Sequence, residues 1–256
     1  MNLKALIFDV DGTLADTEDV HRQAFNAAFA EMELWWNWSA GEYMELLKIS
    51  GGPERIARYI DGLKIEPAEK QRLLAQIPAI HRVKTRLYHE MISAGHAPVR
   101  PGVVRLIKEA RAAGLQVAAA ATSSTSNIEA LVSSSLGRDA LGWFAVIASV
   151  DQVPNRKPAP DLYLRVASQL RVAPQECVVF EDSANGVRAA RAAGMVTIAT
   201  PSRWTVTQDF SGAHLVLYSL GDASEPLDPV TARSLGATEL GLAQVAALHA
   251  RAFQAA

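Results

Sequence analysis

The chain has 256 residues, a length that suits one large domain or two modest ones. Apolar residues make up 49% and charged residues 20%, and a net charge of −2 offers no polyanion-binding surface, so we expect no nucleic-acid partner. No run approaches the roughly 18 apolar residues of a membrane span, and the first residues lack a signal-peptide pattern. We therefore expect a cytoplasmic monomer with no membrane contact. The single cysteine, Cys177, excludes an internal disulfide and is expected in the core.

The first strand is predicted over 5–8, and two aspartates follow it directly. Asp9 and Asp11 are succeeded by Gly12 and Thr13. Ligands of open parallel sheets bind beyond the carboxyl ends of the strands, so chemistry is expected at this position. Two carboxylates there can share a hard cation such as Mg²⁺, or one can attack while the other moves a proton. The alternative is an Asx-rich turn after a buried strand, which D-x-D-G alone does not exclude.

A helical block follows the first strand. Apolar residues at helical spacing predict an amphipathic helix over 21–29. Further helices are predicted over 42–47, 56–60 and 77–91. Glycine and proline at 95–102 end the block.

After Pro101 helices and strands alternate. Helices are predicted over 103–113, 127–135, 161–170 and 185–193, and strands over 115–121, 144–149, 177–180 and 196–200. This alternation predicts an α/β fold with a Rossmann-like parallel sheet and helices on both faces. We expect a core domain of residues 1–16 and 96–225, an inserted α-helical cap of residues 17–95, and a C-terminal extension, 226–256. In the tail, a strand over 214–218 and a terminal helix over 235–253 are predicted.

Hydroxyl residues follow the strand predicted over 115–121. Thr122 and Ser123 begin a run of five such residues, whose side chains and amides can hold phosphate oxygens. A serine-rich loop without function has the same composition.

A lysine precedes two prolines farther along the chain. In Lys157-Pro158-Ala159-Pro160-Asp161 the prolines stiffen the turn, which suits a fixed positive charge beside a phosphate. The alternative is a surface lysine before a proline-capped helix.

The strand predicted over 177–180 ends in acidic residues. Asp182 can complete a metal shell begun by Asp9 and the backbone carbonyl of Asp11, with Glu181 as a ligand through water or as support for Lys157. The alternative is helix N-capping by Asp182 or Ser183, which is compatible with a metal role.

Four motifs occur in the serial order of the haloacid dehalogenase (HAD) superfamily, which the chain resembles over roughly residues 3 to 220. They are D-x-D-G-T-L, the strand followed by Thr or Ser, K-P-x-P-D and E-D-S-x-x-G. The resemblance implies a nucleophile at Asp9, a general acid and base at Asp11, a charge-neutralising Lys157, and Mg²⁺ held by Asp9, Asp11, Asp182 and Glu181. One departure is that, counted from the glycine before the strand, Ala121 stands where the resemblance implies the motif hydroxyl. Either the loop is shifted by one residue, so that Thr122 supplies the hydroxyl, or backbone amides alone remain, and we expect Thr122.

Cap segments resemble the CbbY-type sugar-bisphosphate phosphatases within this superfamily. The segments are 15–21, 35–38, 42–43, 50–58 and 80–85. The resemblance implies hydrolysis of xylulose 1,5-bisphosphate to xylulose 5-phosphate and phosphate. Substrate-binding residues are then expected at Glu18, His21, Tyr43, Gly51, Gly52, Arg55, His81, Lys84, Thr122, Ser123 and Asn185. Pro53 departs from the lysine usual in G-G-K-E-R, which removes a charge from the expected second-phosphate site.

Other activities stay open. A β-phosphoglucomutase-like isomerase shares the cap type and a histidine at the position of His21, and a phosphatase for another small ester such as phosphoglycolate has the same motifs. A non-catalytic phosphate sensor is supported only by Ala121 and Pro53. In every enzymatic alternative the partner is a small phosphorylated molecule, most directly a phosphorylated sugar.

Overall fold

Six parallel strands form the central sheet in the computed structural model of the protein, which describes residues 2–95 and 97–254. The strands are β1 (Ala5–Phe8), β2 (Gln116–Ala121), β3 (Val146–Ser149), β4 (Cys177–Glu181), β5 (Val196–Ala199) and β6 (Leu215–Val216). Their spatial order is β3-β2-β1-β4-β5-β6. Strand β1 lies between β2 and β4, and Phe8 is in register with Ala119 and Phe180. From β1 the chain adds β2 and β3 on one side, and then β4, β5 and β6 on the other side. This reversal of strand order forms a crevice at the carboxyl end of β1.

The helices of the described residues divide into a block before the second strand and a set that alternates with the strands. They are α1 (Glu18–Glu31), α2 (Ala40–Leu46), α3 (Gly52–Gly62), α4 (Pro67–Ser93), α5 (Val103–Ala112), α6 (Thr125–Leu131), α7 (Asp161–Leu170), α8 (Ala184–Ala192), α9 (Pro229–Leu235) and α10 (Leu242–Ala252). Within the described ranges, none has both the length and the apolarity required to cross a membrane.

Alternate residues of each strand pack against opposite helical layers. Leu6 and Phe8 of β1 join a core cluster with α5, α6 and α10, whereas Ala5 and Ile7 join a second cluster with α7 and α8. Cys177 is fully buried in the second cluster. The predicted α/β fold, a parallel sheet with helices on both faces, is confirmed.

Helices α1 to α4 have an aromatic core of their own, centred on Phe25, Phe29, Trp38 and Tyr43. The apolar stripe predicted over 21–29 is the buried face of α1, which packs along α4. This block lies over the carboxyl end of β1, because Tyr88 of α4 and His21 of α1 both contact the Asp11 side chain that follows this strand. We refer to it as the cap; its exact boundaries stay a prediction.

The terminal helix predicted over 235–253 is present as α10 but begins later, at Leu242, and the residues before it form a separate helix, α9. Helix α9 begins earlier, where the Asp228 side chain accepts hydrogen bonds from the Val230 and Thr231 amides. It ends at Gly236, whose φ of 67° is the left-handed conformation common after helices. Alanine and leucine on both sides of this break gave no signal of it in the apolar pattern.

Candidate active site

Three carboxylates meet at the carboxyl ends of two neighbouring strands. Asp9 follows β1, Glu181 ends β4 and Asp182 follows it. The Asp9 amide donates to the Phe180 carbonyl at 2.9 Å, which continues the strand pairing to this point. One oxygen from each of the three side chains lies within 4.8 Å of the others. We call these residues the acidic cluster.

Lys157 reaches the acidic cluster from the loop before α7. Its Nζ donates to Asp9 Oδ1 and Glu181 Oε1, each at 2.6 Å, and to the Ala120 carbonyl at 3.2 Å. Burial lowers the pKa of Lys157, but the two carboxylates outweigh this effect and raise it well above the usual lysine value. Lys157 is therefore a fixed positive charge in the site, as the stiff K-P-x-P turn predicts.

Glu181 is occupied by protein donors. Besides Lys157, its Oε1 accepts from the Tyr163 hydroxyl at 2.5 Å, and its Oε2 accepts from the Ser183 hydroxyl at 3.1 Å and amide at 3.3 Å. A Cβ at Gly186 would lie within 2.0 Å of three atoms of this carboxyl group, so only glycine permits helix α8 to approach it. This geometry favours support of Lys157 over ligation of a metal ion through water, the two roles that the sequence left open.

Asp9 and Asp182 carry charge that the protein neutralises incompletely. Asp182 is 3% exposed, and its partner among the described side chains is the Thr205 hydroxyl, 3.5 Å from Oδ2. Burial first, then Asp9 and Glu181, raise the pKa of Asp182, and burial likewise raises that of Asp9 despite Lys157. The backbone at Gly12 approaches so closely that a Cβ there would lie 2.3 Å from Asp182 Oδ2. Buried carboxylate oxygens in excess of local cations are the donor set that Mg²⁺ prefers, so these residues fit that ion.

The Asp11 carboxylate lies outside the acidic cluster and is hydrogen-bonded to other side chains. Its Oδ1 accepts from Thr17 Oγ1 at 2.9 Å and from His21 Nε2 and the Tyr88 hydroxyl at 3.1 Å, and Ser123 donates to Oδ2 at 2.5 Å. Burial alone would raise the pKa of Asp11, but His21 and the hydroxyl donors outweigh it and lower that pKa. Because its carboxylate is filled with donors, a metal ion would be held by the backbone carbonyl, as predicted.

His21 links Asp11 to the cap. Its Nδ1 lies 2.7 Å from Lys84 Nζ, and its ring stacks on Tyr88 with 3.9 Å between centroids. Burial and the Lys84 charge lower the pKa of His21, so the ring is neutral near pH 7. Both ring nitrogens have protein partners, and the substrate-binding role of His21 stays a prediction.

The hydroxyl loop after β2 has Thr122 in the position that faces the acidic cluster. Ala121 is fully buried in the core, whereas Thr122 lines the cavity with Asp9, Asp11 and Lys157. Ser123 is bound to Asp11 as described above. The assignment of Thr122 as the hydroxyl near the site fits this placement.

A cavity extends from the acidic cluster to the space beneath the cap. The part beside the sheet is lined by Asp9, Asp11, Glu18, Arg55, Thr122, Lys157, Asp182 and Asn185. The adjoining part beneath the cap is lined by Glu18, His21, Gly51, Gly52, Arg55, His81, Lys84, Ser123 and Arg156. Each predicted substrate-binding residue except Tyr43 lines one of these parts.

Tyr43 lies behind the cavity wall. It is fully buried, its hydroxyl donates to Glu18 Oε2 at 3.1 Å, and it accepts from Arg55 Nη1 at 3.3 Å. Direct contact with a substrate, as predicted for Tyr43, is therefore replaced by positioning of Glu18 and Arg55.

The glycine pair beneath the cap leaves room for a histidine. A Cβ on Gly52 would lie 2.5 Å from His81 Nε2, and Gly51 has a φ of 100°. Burial and the neighbouring Lys84 lower the pKa of His81 to about 4. His81 is therefore uncharged near neutral pH, so its predicted part in substrate binding would be that of a neutral ring. The cations of this part are Arg55, Lys84 and Arg156.

Several residues of the site were missed by the sequence analysis. Tyr163 had a signal, because it comes two residues after the K-P-x-P-D motif at the start of α7. Thr17, Tyr88 and Arg156 had none, since nothing in their local pattern points to Asp11 or the cavity. Asn185, which was predicted, uses its Nδ2 to donate to the Lys48 carbonyl of the cap at 3.2 Å.

The fold and this arrangement of acids, lysine and hydroxyls define a class of enzyme. A sequence profile of haloacid dehalogenase-like hydrolases matches residues 3–194, and the chain belongs to that family. The superfamily predicted from the motifs is therefore confirmed.

Within the family, the chain is similar to CbbY proteins. It is 49% identical over 225 residues to the plasmid CbbY protein of Cupriavidus necator, covering 88% of this chain and 89% of the relative. It is 44% identical to protein CbbY of Rhodobacter capsulatus, covering 90% and 99%. A crystal structure of a mutant CbbY from Rhodobacter sphaeroides in complex with xylulose-(1,5)bisphosphate matches with a TM-score of 0.79 and 42% identity, covering 87% and 98%. The protein is thus a phosphatase of the haloacid dehalogenase type.

Proposed function

We propose that the protein is a Mg²⁺-dependent sugar-phosphate phosphatase that acts through an aspartyl-phosphate on Asp9, with xylulose 1,5-bisphosphate as its substrate. The observation that supports this most directly is the position of Asp9. Lys157 holds its Oδ1, while Oδ2 has no hydrogen-bond donor among the described residues and is available for attack.

In the first step Asp9 Oδ2 forms a bond to phosphorus while the bond from phosphorus to the sugar oxygen breaks. Asp11 protonates the departing oxygen. In the second step water attacks the phosphoryl group, Asp11 accepts the proton of that water, and the bond to Asp9 breaks to release phosphate. Lys157 and the amides of the Thr122 loop offset negative charge on the transferring group, which is the main requirement of phosphoryl transfer.

Mg²⁺ would be held by Asp9, Asp182 and the backbone carbonyl of Asp11, and when bound it neutralises charge on the phosphoryl oxygens. Glu181 keeps Lys157 in place. Because the acidic cluster carries more negative charge than Lys157 offsets, the site favours the cation and a phosphate dianion together over the dianion alone.

Asp11 is ionised in the free protein because its pKa is lowered. To act as an acid it must gain a proton when substrate binds. A phosphate dianion beside Asp11 raises the pKa of its carboxyl group by like-charge repulsion, so binding itself favours the protonated form.

A second phosphate on the substrate would find three cations beneath the cap. Arg55 from α3, Lys84 from α4 and Arg156 from the loop before α7 line the same part of the cavity. Arginine binds phosphate through two parallel hydrogen bonds. Pro53 lacks the positive charge of the lysine that is usual in G-G-K-E-R. Arg156 supplies a positive charge in the same part of the cavity, so a bisphosphate remains the proposed substrate.

The intermediate can be tested by acid quench during turnover with Mg²⁺, followed by mass spectrometry of the peptide that contains Asp9. We expect added mass equal to one phosphoryl group in wild type and none in Asp9→Asn. A phosphoryl group on another residue, or turnover by Asp9→Asn at the wild-type rate, would contradict the mechanism.

A further inference from the structure

A tight turn after β5 contacts both the cap and the acidic cluster. The Ser202 amide donates to Thr205 Oγ1 at 3.0 Å, and the Thr205 amide donates back to the Ser202 carbonyl at 3.1 Å. The Trp204 amide donates to Ser202 Oγ at 3.2 Å. These bonds make the segment from Ser202 to Thr205 one compact unit, which we call the 202–205 turn.

On the cap side, Trp204 is part of the aromatic core of the cap although it lies far from it in sequence. The side chain is 6% exposed and meets the ring of Tyr43 edge to face, with 5.8 Å between centroids. Tyr43 in turn binds Glu18 and Arg55. Trp204 of the 202–205 turn therefore packs behind the cavity wall, while Thr205 of the same turn lines the cavity.

On the sheet side, the next residue faces the candidate metal ligand. Thr205 is 2% exposed, and its Oγ1 lies 3.5 Å from Asp182 Oδ2. Three residues after this turn, Gln208 reaches the helix after Asp182, because its Oε1 accepts from the Ala184 amide at 2.8 Å. Among the described side chains, Thr205 is the one whose hydroxyl contacts this carboxylate.

We propose that Trp204 is a positioning residue that couples the seating of the cap to cation binding at Asp182, acting through Thr205. The inference rests on the proposed function only in taking Asp182 as a cation ligand. It adds a connection between cap and cation site that runs through the protein and not through the substrate.

The physical basis is the shortness of the turn. Trp204 and Thr205 are adjacent and are hydrogen-bonded to Ser202, so a shift of the backbone that carries the indole along with the cap also moves the hydroxyl beside Asp182. Partners that hold a metal ligand in place typically change metal affinity about 10- to 100-fold when they are removed. Coupling of binding equilibria is reciprocal, so a bound cation must also favour the seated cap.

The test is calorimetric titration of the full-length protein with Mg²⁺ alone. We expect Trp204→Ala and Thr205→Val each to weaken Mg²⁺ binding about tenfold, and Trp204→Phe, which keeps an aromatic ring on Tyr43, to stay within about twofold of wild type. Trp35→Ala is the matched control, because Trp35 is 74% exposed and lines neither part of the cavity. If Trp204→Ala does not fold, Trp204→Leu takes its place, because leucine fills the buried site without keeping a ring on Tyr43.

The double variant Trp204→Ala with Thr205→Val tests whether Trp204 affects the cation site through Thr205. If Trp204 acts through Thr205, the double variant binds Mg²⁺ no more weakly than the weaker single variant. Additive losses would overturn the route, and wild-type Mg²⁺ affinity in both single variants would overturn the coupling. Because these titrations contain no substrate, a wild-type protein that binds Mg²⁺ but releases no phosphate would refute the proposed function separately.

Discussion

Lys84 and His21 form a hydrogen bond between two nitrogens, with Lys84 Nζ 2.7 Å from His21 Nδ1. The ammonium donates in this contact, so Nδ1 must accept and the ring proton must be on Nε2. That proton points to Asp11 Oδ1, 3.1 Å away. A lysine of α4 thereby determines the tautomer of the ring that faces the proposed general acid and base.

The charge of Lys84 should govern the upper pH limit for a substrate with a second phosphate. Burial lowers the pKa of Lys84 to about 7, so its charge in the free enzyme is present below that pH and is lost above it. We expect kcat/KM for a bisphosphate to fall as pH rises from 6 to 8. For Lys84→Met, kcat/KM for the bisphosphate should be lower at acidic pH and should not decline from pH 6 to 8. A monophosphate is the control substrate. An unchanged profile in the variant would assign the titration to another group.

Asp9→Asn should remove turnover without unfolding the protein. The loss expected for a nucleophile is on the order of 10⁴-fold or more. Burial raises the pKa of Asp9, so its charged form opposes folding above the usual aspartate pKa, and this penalty persists at pH 7. The variant lacks that charge, and Lys157 keeps Glu181 as a partner. We therefore expect its melting temperature without Mg²⁺ to equal or exceed that of wild type; a clear drop would show that the Asp9–Lys157 pair stabilises the fold.

Glu181→Gln and Asp182→Asn should separate the two roles of neighbouring acids. Asp182→Asn is expected to weaken Mg²⁺ activation at least about tenfold, because it removes a proposed ligand. Glu181→Gln is expected to lower kcat about 10- to 100-fold with little change in the Mg²⁺ concentration for half activity, because it loosens Lys157. Titration of initial rates with Mg²⁺ measures both quantities. A large change in Mg²⁺ dependence for Glu181→Gln would make Glu181 a ligand.

Gly186→Ala should be destabilising although alanine is the better helix former. Its Cβ would lie 1.8 Å from the Glu181 Cδ, so either α8 or the carboxyl group that holds Lys157 must move. Gly62→Ala in α3 is the matched control, since nothing lies within 4 Å of its added Cβ and a gain of up to about 1 kcal/mol is expected. Urea unfolding of the two variants measures the difference. Equal stability changes would show that the Glu181 contact is not tight.

Local pattern was sufficient for the sheet, the helical cap and the acids at the strand ends. Asp9 and Asp182 were predictable because each directly follows a strand and parallel strands bring their carboxyl ends together. Lys157 was predictable because the prolines after it mark a stiff turn. Tyr88 and Trp204 were not, because their contacts with Asp11 and Tyr43 depend on how the cap seats on the sheet. The neutral state of His81 was equally hidden, since it results from burial and from Lys84 and not from residue type.

The measurement that tests the account most directly is Mg²⁺-dependent phosphate release from four compounds: xylulose 1,5-bisphosphate, ribulose 1,5-bisphosphate, β-glucose 1-phosphate and phosphoglycolate. We expect a strong preference for the xylulose compound, with xylulose 5-phosphate as the product and no release after chelation of Mg²⁺. Weak, equal release from all four would contradict the substrate assignment, and formation of glucose 6-phosphate from the third compound would identify a mutase. Release that persists without Mg²⁺ would contradict the cation site built on Asp9 and Asp182.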